Sequence, residues 1–357
     1  MIDQPFRLER LGVVMEPRPD DPHEAGGVFN PGGVRGRDGE YYLFPRLVEA
    51  PNYSRVGIAR VVFENGDPVG VERLGYALEP GEAFERNPRT AGCEDARVTF
   101  IEKLDLFVMV YSSYGPRSSR VAIAVSDDCL TWRRLGPALF SYDPGWRADF
   151  NLFNNKDAFF FPEPIPDPDG EMSLALVHRP DFDVGETEPF VTLPEGIEER
   201  RPGMWISYAR LDEIRRDARK LVDLRKHRPL AFPERGWEEL KIGGGTPPVR
   251  TRHGWLMVYH GVSGRLHRIQ DHQPEVQYRA GVMILSEDDP LHILHRSEGP
   301  VLEPEVEAER IGIVDNVVFP TALDIRDGER IDVYYGMADA CIGVARLKVP
   351  ARIAGRP

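Results

Sequence analysis

One pattern recurs five times along the chain and constrains its fold more than any other feature. Each copy contains a polar cluster, an apolar strand, a turn, a second apolar strand and a third strand of small residues. The second strands are residues 41–46, 106–112, 172–179, 255–260 and 331–335. A turn pair such as Asp38-Gly39 between alternating strands is a strong hairpin signal.

The third strands set the length of the repeat. They are residues 56–59, 121–124, 206–209, 280–283 and 342–345, and their last residues are separated by 65, 85, 74 and 62 positions. This length suits a four-stranded sheet with its loops, and a radial arrangement leaves only short sheet edges. The sequence therefore predicts an all-β, five-bladed β-propeller that forms a single domain over residues 1–357. A two-sheet β-sandwich is the alternative, but it does not require five-fold repetition.

One stretch departs from the strand pattern. Residues 198–224 are rich in Arg and Glu, and we interpret them as a helical insertion on the surface of the third blade.

Composition narrows the function and the compartment. The net charge of −13 argues against a nucleic-acid groove. Residues 1–16 lack an apolar leader, and no apolar run approaches the ~20 residues of a membrane span. Cys93, Cys129 and Cys341 are far apart and odd in number, which favours buried thiols in a reducing compartment. We expect a cytoplasmic protein with no metal and no cofactor, since no His, Asp or Glu grouping has metal-site spacing.

Polar side chains occur at two places in each repeat, before the first strand and at the end of the second. The first set is Asn30-Pro31, residues 94–97, residues 155–157, residues 241–245 and Asp315-Asn316. The second set is Arg46, Tyr111-Ser112, His178-Arg179, His260 and Tyr335. Because antiparallel neighbours end where the other begins, both sets should meet at one mouth of the central channel.

The two sets differ in chemistry around this mouth. Blades three and four supply basic groups that suit a small oxyanion such as phosphate; they are Lys156, Arg179, Lys241 and His260. Asp95 comes from blade two, across the mouth. An acid facing an anion site can protonate a leaving group while the anion attacks. Each charge taken singly is equally well explained as a solvated or paired rim residue. The aromatic residues Tyr111, Tyr114, Tyr259 and Tyr335 offer stacking faces for sugar rings or belong to the core.

These segments together resemble glycoside hydrolase family 130, the β-mannoside phosphorylases and mannosidases, a five-bladed propeller family. The resemblance extends in order from about residue 28 to 348. Its segments are Asn30-Pro31 with 41–46, 54–59, 94–97, 155–157 with 161–163, His178-Arg179, 241–245, 254–261, 315–320 and 334–339.

The resemblance implies roles for individual residues. The one catalytic acid of an inverting mechanism falls on Asp95, whose pKa we expect to be raised. The phosphate contacts fall on the four basic residues already named. The sugar contacts fall on Asn30, Arg46, Arg55 and Asp339. The motif around the acid reads Glu-Asp-Ala-Arg where the family resemblance leads us to expect Glu-Asp-Pro-Arg. The change at Ala96 leaves Asp95 in place but makes the path of the backbone there less certain.

Three functions fit this sequence. The first is a phosphorylase that cleaves a β-mannoside with inorganic phosphate, its co-substrate, to give α-mannose 1-phosphate. The second is an inverting β-mannoside hydrolase of the same family, which needs a second carboxylate such as Glu163 or Asp157 to activate water. The third is a non-catalytic carbohydrate-binding propeller. The family resemblance also makes a loop-mediated homo-oligomer plausible.

Overall fold

The fold is seen in a computed structural model that describes residues 5–87, 91–116, 118–182, 193–265, 275–327, 330–351 and 353. In these residues the chain builds five mainly antiparallel blades in sequence order, and a short parallel pairing of Tyr53-Ser54 with Ala91-Gly92 joins the first two into one sheet. The first strand of blade one contacts those of blades two and five. The predicted five-bladed β-propeller is confirmed.

The strands of the blades are numbered along the chain. A separate first strand precedes the blades, β1 (Arg7–Met15). Blade one contains β2 (Val28–Arg35), β3 (Tyr41–Glu49), β4 (Tyr53–Glu64) and β5 (Asp67–Leu78). Blade two contains β6 (Ala91–Ile101), β7 (Leu106–Gly115), β8 (Ser118–Ser126) and β9 (Arg133–Pro137).

Blades three to five follow the same plan, with three short extra strands. Blade three contains β10 (Leu139–Phe140), β11 (Asn154–Phe160), β12 (Ile165–Pro166), β13 (Met172–Asp181), β14 (Met204–Arg210) and β15 (Asp223–Ala231). Blade four contains β16 (Lys241–Gly244), β17 (Val249–Thr251), β18 (Gly254–Gly264), β19 (Val276–Leu285) and β20 (Ile293–Arg296). Blade five contains β21 (Val318–Asp327), β22 (Arg330–Met337) and β23 (Cys341–Lys348).

The ring is closed by the two ends of the chain. β1 pairs antiparallel with β23, from Arg7 opposite Lys348 to Met15 opposite Ile342. The N-terminal strand thus becomes the outer strand of blade five. This pairing ties the N-terminal strand to the last blade by backbone hydrogen bonds, so blade five has four strands, as blades one and two have.

Helical structure is sparse and short. The α-helices are α1 (Leu211–Arg216) and α2 (Glu307–Arg310), and the 3₁₀ turns are Pro22–Glu24, Ala83–Glu85, Glu102–Leu104, Phe150–Leu152, Ala218–Val222 and Gly236–Glu238. In the described residues, no helix is long and apolar enough to cross a membrane.

The helical insertion predicted for residues 198–224 is much shorter than expected. β14 occupies Met204–Arg210 in this stretch, and all its side chains except that of Arg210 are buried. Helical residues are confined to α1 and the 3₁₀ turn Ala218–Val222. The Arg- and Glu-rich flanks gave the stretch a helical composition, whereas burial on both faces of β14 determined its conformation.

The hydrophobic core lies between blades rather than at one centre. Residues from blades two and three share one cluster, which includes the fully buried Trp205. Blades three and four share another, which includes Trp255. Full burial of a large apolar side chain contributes roughly 1.5–3 kcal/mol, so blade-to-blade packing holds the ring rigid. Cys93, Cys129 and Cys341 are buried free thiols, as expected.

A buried glutamate joins three elements in each of several blades. Glu85 lies in the 3₁₀ turn before blade two and accepts hydrogen bonds from Tyr111 Oη at 2.7 Å and Arg134 Nε at 2.7 Å. We call this arrangement the Glu–Tyr–Arg tie. Its copies in blades four and five are Glu238 with Tyr259 and Arg296, and Glu309 with Tyr335 and Arg10. These three tyrosines are core residues and not stacking faces for sugars.

Candidate active site

Backbone bulges direct the polar side chains of the first strands. The register shifts between Phe29 and Gly32 in β2, between Glu94 and Arg97 in β6, and between Lys156 and Phe159 in β11. Within each shift one residue has a positive φ: Asn30 at 45°, Asp95 at 49° and Asp157 at 54°. A bulge bends its strand and re-aims the side chain. Asn and Asp accept this left-handed conformation more readily than other non-glycine residues.

The bulges and the strand ends surround a cavity of about 120 Å³. Every predicted site residue except Arg55 lines it, and these are Asn30, Arg46, Asp95, Lys156, Arg179, Lys241, His260 and Asp339. The wall is completed by Asp157, Tyr278, Val314, Val317 and Phe319. Residues of both predicted sets therefore meet at one mouth, but Tyr111, His178 and Tyr335 of the second set do not line it.

Arg55 is placed apart from this cavity. Its guanidinium pairs with Glu49 at 2.7 Å and with Glu79 at 3.3 Å. The preceding residue, Ser54, does support the site, because its Oγ accepts a hydrogen bond from Arg46 Nε at 2.9 Å. A role for Arg55 in sugar binding stays a prediction.

Carboxylates around Arg46 form one half of the cavity, which we call the acidic half. Asp95 Oδ1 accepts hydrogen bonds from Asn30 Nδ2 at 3.0 Å and Arg46 Nη1 at 3.5 Å. Glu94 accepts from Arg46 Nη2 at 2.9 Å. In the described part of the chain both hydrogen bonds to Asp95 are on Oδ1, which leaves Oδ2 for a substrate.

Burial raises carboxyl pKa values in the acidic half. The pKa of Asp339 rises to about 6, because the group is buried and lies near Asp95 and Glu94, while Arg46 and Lys156 oppose the shift. Burial also raises the pKa of Glu94, with Asp95 adding to it and Arg46 opposing it. Protons are therefore held on this side of the cavity at a higher pH than on exposed carboxyls.

The opposite side, which we call the basic half, is built around Asp157. Arg179 Nε donates to Asp157 Oδ2 at 2.6 Å, and both side chains are 3% exposed. His260 Nε2 lies 3.6 Å from the same oxygen. Burial alone would raise the pKa of Asp157, but Arg179, His260 and Lys156 hold it well below its usual value. Asp157 is thus ionised, and it orients Arg179 and His260 through its Oδ2.

The bases of this half are not all cations. Burial, with help from Arg179 and Lys241, lowers the pKa of His260 to about 3, so its imidazole is neutral at physiological pH. The sequence grouped His260 with the basic residues, and its contact with phosphate stays a prediction. Burial and Arg179 also lower the pKa of Lys241 to about 8, which places the loss of its charge just above neutrality.

A comparison with known proteins identifies the family of this fold and site. Residues 7–351 match the family described as beta-1,4-mannooligosaccharide phosphorylase, glycoside hydrolase family 130. The chain belongs to glycoside hydrolase family 130.

Two relatives in family 130 come from Thermoanaerobacter sp. (strain X514). The 1,2-beta-oligomannan phosphorylase is 28% identical, with 96% of this chain and 98% of that protein covered. The beta-1,2-mannobiose phosphorylase is 30% identical, with the same coverage. A solved structure, the beta-1,2-mannobiose phosphorylase from Listeria innocua in complex with beta-1,2-mannobiose, matches the fold with a TM-score of 0.66 and 22% identity. That match covers 98% of this chain and 92% of the other.

The family-130 acid motif is held by an arginine that spans the channel. Arg97 is fully buried and donates through Nη1 to the carbonyls of Asp95 at 2.8 Å and Ala96 at 3.3 Å. Its Nε donates to the carbonyl of Gly245 in blade four at 2.6 Å. These bonds fix the backbone at Ala96, where the sequence differs from the expected family motif. They also connect the acidic half to the basic half.

Gly243 explains part of the Lys-Ile-Gly-Gly-Gly segment. A Cβ at this position would lie 2.4 Å from His260 Cε1 and 2.6 Å from Asp157 Oδ2. The absence of a side chain therefore lets the β16 backbone approach the basic half closely.

Tyr278 and Phe319 were missed by the sequence interpretation. The Phe319 ring centroid lies 4.4 Å from that of His260, and Lys241 Nζ lies 5.3 Å from the centre of the Tyr278 ring. Tyr278 precedes the third-strand residue Ala280 by two positions, as Ser54 precedes its own third strand. That register was the available signal for Tyr278, and Phe319 lies in segment 315–320 of the family resemblance.

Across the described ranges, no group of three His, Cys, Asp or Glu side chains is arranged to hold a metal ion.

Proposed function

We propose that this protein is an inverting glycoside phosphorylase that cleaves β-mannosides with inorganic phosphate to give α-mannose 1-phosphate. The observation that carries the proposal is the division of one cavity into an acidic half around Asp95 and a basic half around Asp157. The names of the family-130 relatives agree with a mannoside phosphorylase.

The acidic half supplies the proton for the leaving group. Asp95 Oδ2 gives its proton to the glycosidic oxygen, directly or through a sugar hydroxyl, as the bond between the anomeric carbon and that oxygen breaks. Asn30 and Arg46 hold Oδ1 and so fix the direction of Oδ2. Positioned acid catalysis of this kind contributes about 10²–10⁴-fold to rate.

The basic half supplies the nucleophile. Phosphate is already anionic and needs no general base, so the protein must only hold it against the far face of the anomeric carbon. Lys156, Arg179 and Lys241 provide positive charge, and the neutral imidazole of His260 provides a hydrogen-bonding edge. A phosphate oxygen forms its bond to carbon as the glycosidic bond breaks, and the configuration inverts.

A hydrolase of the same family is the second candidate. It requires a carboxylate that can take a proton from water. Glu163 pairs with Arg250 at 3.0 Å, and it does not line the cavity. Asp157 does line the cavity, but its depressed pKa makes it a weak base. These observations favour phosphate over water as the nucleophile. A non-catalytic sugar-binding propeller remains the third candidate.

Product analysis separates the candidates. The protein is incubated with β-1,2- and β-1,4-mannosides, with and without inorganic phosphate, and the products are resolved by anion-exchange chromatography and NMR. A phosphorylase forms α-mannose 1-phosphate only with phosphate. Equal release of mannose without phosphate would support the hydrolase, and absence of turnover would support the binding propeller. The two linkages are both needed because the family description and the relatives differ in linkage.

A further inference from the structure

In its described residues, blade three has no counterpart of the Glu–Tyr–Arg tie found in blades two, four and five. Pairing across the first-strand bulges puts His178 of β13 in the place that Tyr111 occupies in β7. Phe150 lies in the 3₁₀ turn before β11, as Glu85 lies in the turn before β6. An apolar ring and an imidazole thus stand where the other blades have a carboxylate and a phenol.

The outer strands of blade three complete the exchange. Ile206 pairs with Arg228 and Tyr208 with Arg225, so the residues between them, Ser207 and His227, face each other across β14 and β15. In blade two the same strands place Ala124 opposite Arg134, as blade five places Ala345 opposite Arg10. Ser207 therefore replaces alanine, and His227 replaces the arginine of the tie. This register also shows that 204–207, rather than 206–209, is the true third-strand repeat of blade three.

The replacing side chains form one continuous chain of hydrogen bonds. Both amide atoms of Asn155 lie near His178 Nδ1, Nδ2 at 2.9 Å and Oδ1 at 3.2 Å, and His178 Nε2 lies 2.8 Å from Ser207 Oγ. Ser207 Oγ lies 2.7 Å from His227 Nδ1, and His227 Nε2 lies 2.8 Å from the carbonyl oxygen of Ser141. The four side chains from Asn155 to His227 are buried.

The carbonyl at the outer end sets the direction of every bond. A carbonyl only accepts, so His227 carries its proton on Nε2 and accepts at Nδ1. Ser207 then donates to His227 and accepts from His178 Nε2–H. His178 must then accept at Nδ1, so of the two amide atoms near it the closer one, Asn155 Nδ2, donates the hydrogen bond. A neutral chain with these tautomers satisfies each of its members.

The surroundings keep both imidazoles neutral. Burial lowers the pKa of His178 well below its usual value, with His227 adding to the effect, and burial lowers the pKa of His227. The Phe150 ring centroid lies 5.7 Å from that of His178 and 4.8 Å from that of His227. A protonated imidazole would donate from both nitrogens and break the direction of the chain.

The inner end of the chain reaches the basic half of the cavity. Asn155 directly precedes Lys156, and His178 directly precedes Arg179; Lys156 and Arg179 face each other in the β11–β13 pairing. Successive side chains of a strand point to opposite faces, so the chain fixes His178 and Asn155 from behind the phosphate-binding residues. We propose that the chain Asn155–His178–Ser207–His227 positions Lys156 and Arg179 for phosphate.

The proposal rests on the proposed function of the basic half, and Ser207→Ala tests it. Alanine already occupies the corresponding position in blades one, two and five (Ala59, Ala124 and Ala345), so the fold accepts the change. The variant removes the middle of the chain and frees both imidazoles to change tautomer. We expect the Kd for inorganic phosphate, measured by calorimetry, to rise roughly 10-fold, since small misplacements of binding groups have effects of this size or larger. The KM for the mannoside should change less than 2-fold, a ratio that separates positioning from general damage.

Tyr111→Phe is the matched control. It removes one buried hydrogen bond of 2.7 Å from the tie in blade two and should lower thermal stability without changing the Kd for phosphate. Equal Kd values for phosphate in Ser207→Ala and wild type would overturn the inference, even if both variants lose stability.

Nitrogen-15 NMR of labelled histidine gives an independent check. It should show both His178 and His227 as neutral Nε2–H tautomers, and a charged or Nδ1–H form of either would also overturn the inference. A wild-type protein that binds phosphate but shows no phosphate-dependent turnover would instead contradict the proposed function and leave the positioning result standing.

Discussion

The acidic and basic halves of the cavity are built from the same strand positions but differ in the charge of the side chains at those positions. In blade two the bulge residue is Asp95, next to Glu94; in blade three it is Asp157, next to Lys156. The acidic half has three carboxyls, and Arg46 is its one guanidinium on the cavity wall in the described residues. Asp157 instead contacts Arg179 and His260.

The two halves differ in the ratio of carboxyl groups to cationic groups. Where carboxyls outnumber cations, burial wins and raises the pKa of Asp339 to about 6. Where cations outnumber the carboxyl, they overcome the same burial and depress the pKa of Asp157. A propeller can thus place carboxyls with raised pKa values and a carboxylate with a lowered pKa on two sides of one cavity, because each blade contributes its own polar cluster to the common mouth.

Asp95→Asn should produce the largest effect and breaks only the acidic half. The amide keeps the shape of the side chain but has no acidic proton to give. We expect phosphorolysis to fall by at least about 10³-fold, within the range for loss of a positioned acid. Inorganic phosphate should still bind with a Kd close to that of wild type, measured by calorimetry. Loss of phosphate binding in this variant would contradict the division into two halves.

Gly243→Ala should produce the next largest effect and breaks the basic half. The new Cβ would overlap His260 and Asp157, and the β16 backbone cannot move far because Gly245 is held by Arg97. We expect kcat/KM for phosphate to fall about 10²-fold, the effect of a displacement near 1 Å. Gly70→Ala is the control, since a Cβ there meets nothing within 4 Å. Equal activity of the two variants would show that the close approach of β16 is unimportant.

The sequence allowed the ring and its mouth to be predicted, but not the details that depend on register and burial. Repeated strand patterns fix which residues end at the same place, so Asp95, Lys156 and Lys241 could be brought together without a structure. His260 was placed on the cavity wall from the sequence, but its neutral state could not be predicted, because it depends on complete burial beside Arg179. The blade-three repeat was shifted by two residues because 206–209 has the alternation of large and small residues seen in other blades, whereas 204–207 carries Trp205 at a position that is small elsewhere.

Lys241 allows the basic half to be weakened by pH alone. Its folded-state pKa is depressed to about 8, so the ammonium is present below pH 8 and is lost as the pH rises through that value. We expect the KM for phosphate to rise roughly 10-fold between pH 7.5 and 9.5, since one positive charge leaves a buried anion site. Lys241→Arg should remove this pH dependence, because a guanidinium stays charged. The KM for the mannoside is measured in parallel, and an equal rise in both would assign the effect elsewhere.

Asp339→Asn should have the smallest effect, and it separates stability from activity in the acidic half. The pKa of Asp339 is about 6 in the folded protein, against 3.8 for the ordinary group. Its charge therefore disfavours folding: the stability present below pH 3.8 is lost as the pH rises through 6. The variant carries no such charge, so its free energy of unfolding relative to wild type should increase between pH 4.5 and 7.5 by at most about 3 kcal/mol. Urea unfolding at the two pH values measures this change.

Asp105→Asn is the matched control, because Asp105 is exposed and has the same φ of 52° as Asp339. A gain of stability at pH 7.5 together with weaker mannoside binding would show that the acidic half retains a destabilising carboxylate for its contact with the sugar. A loss of stability at pH 7.5 would instead mean that the attraction between Arg46 and the Asp339 carboxylate exceeds the cost of burying that charge.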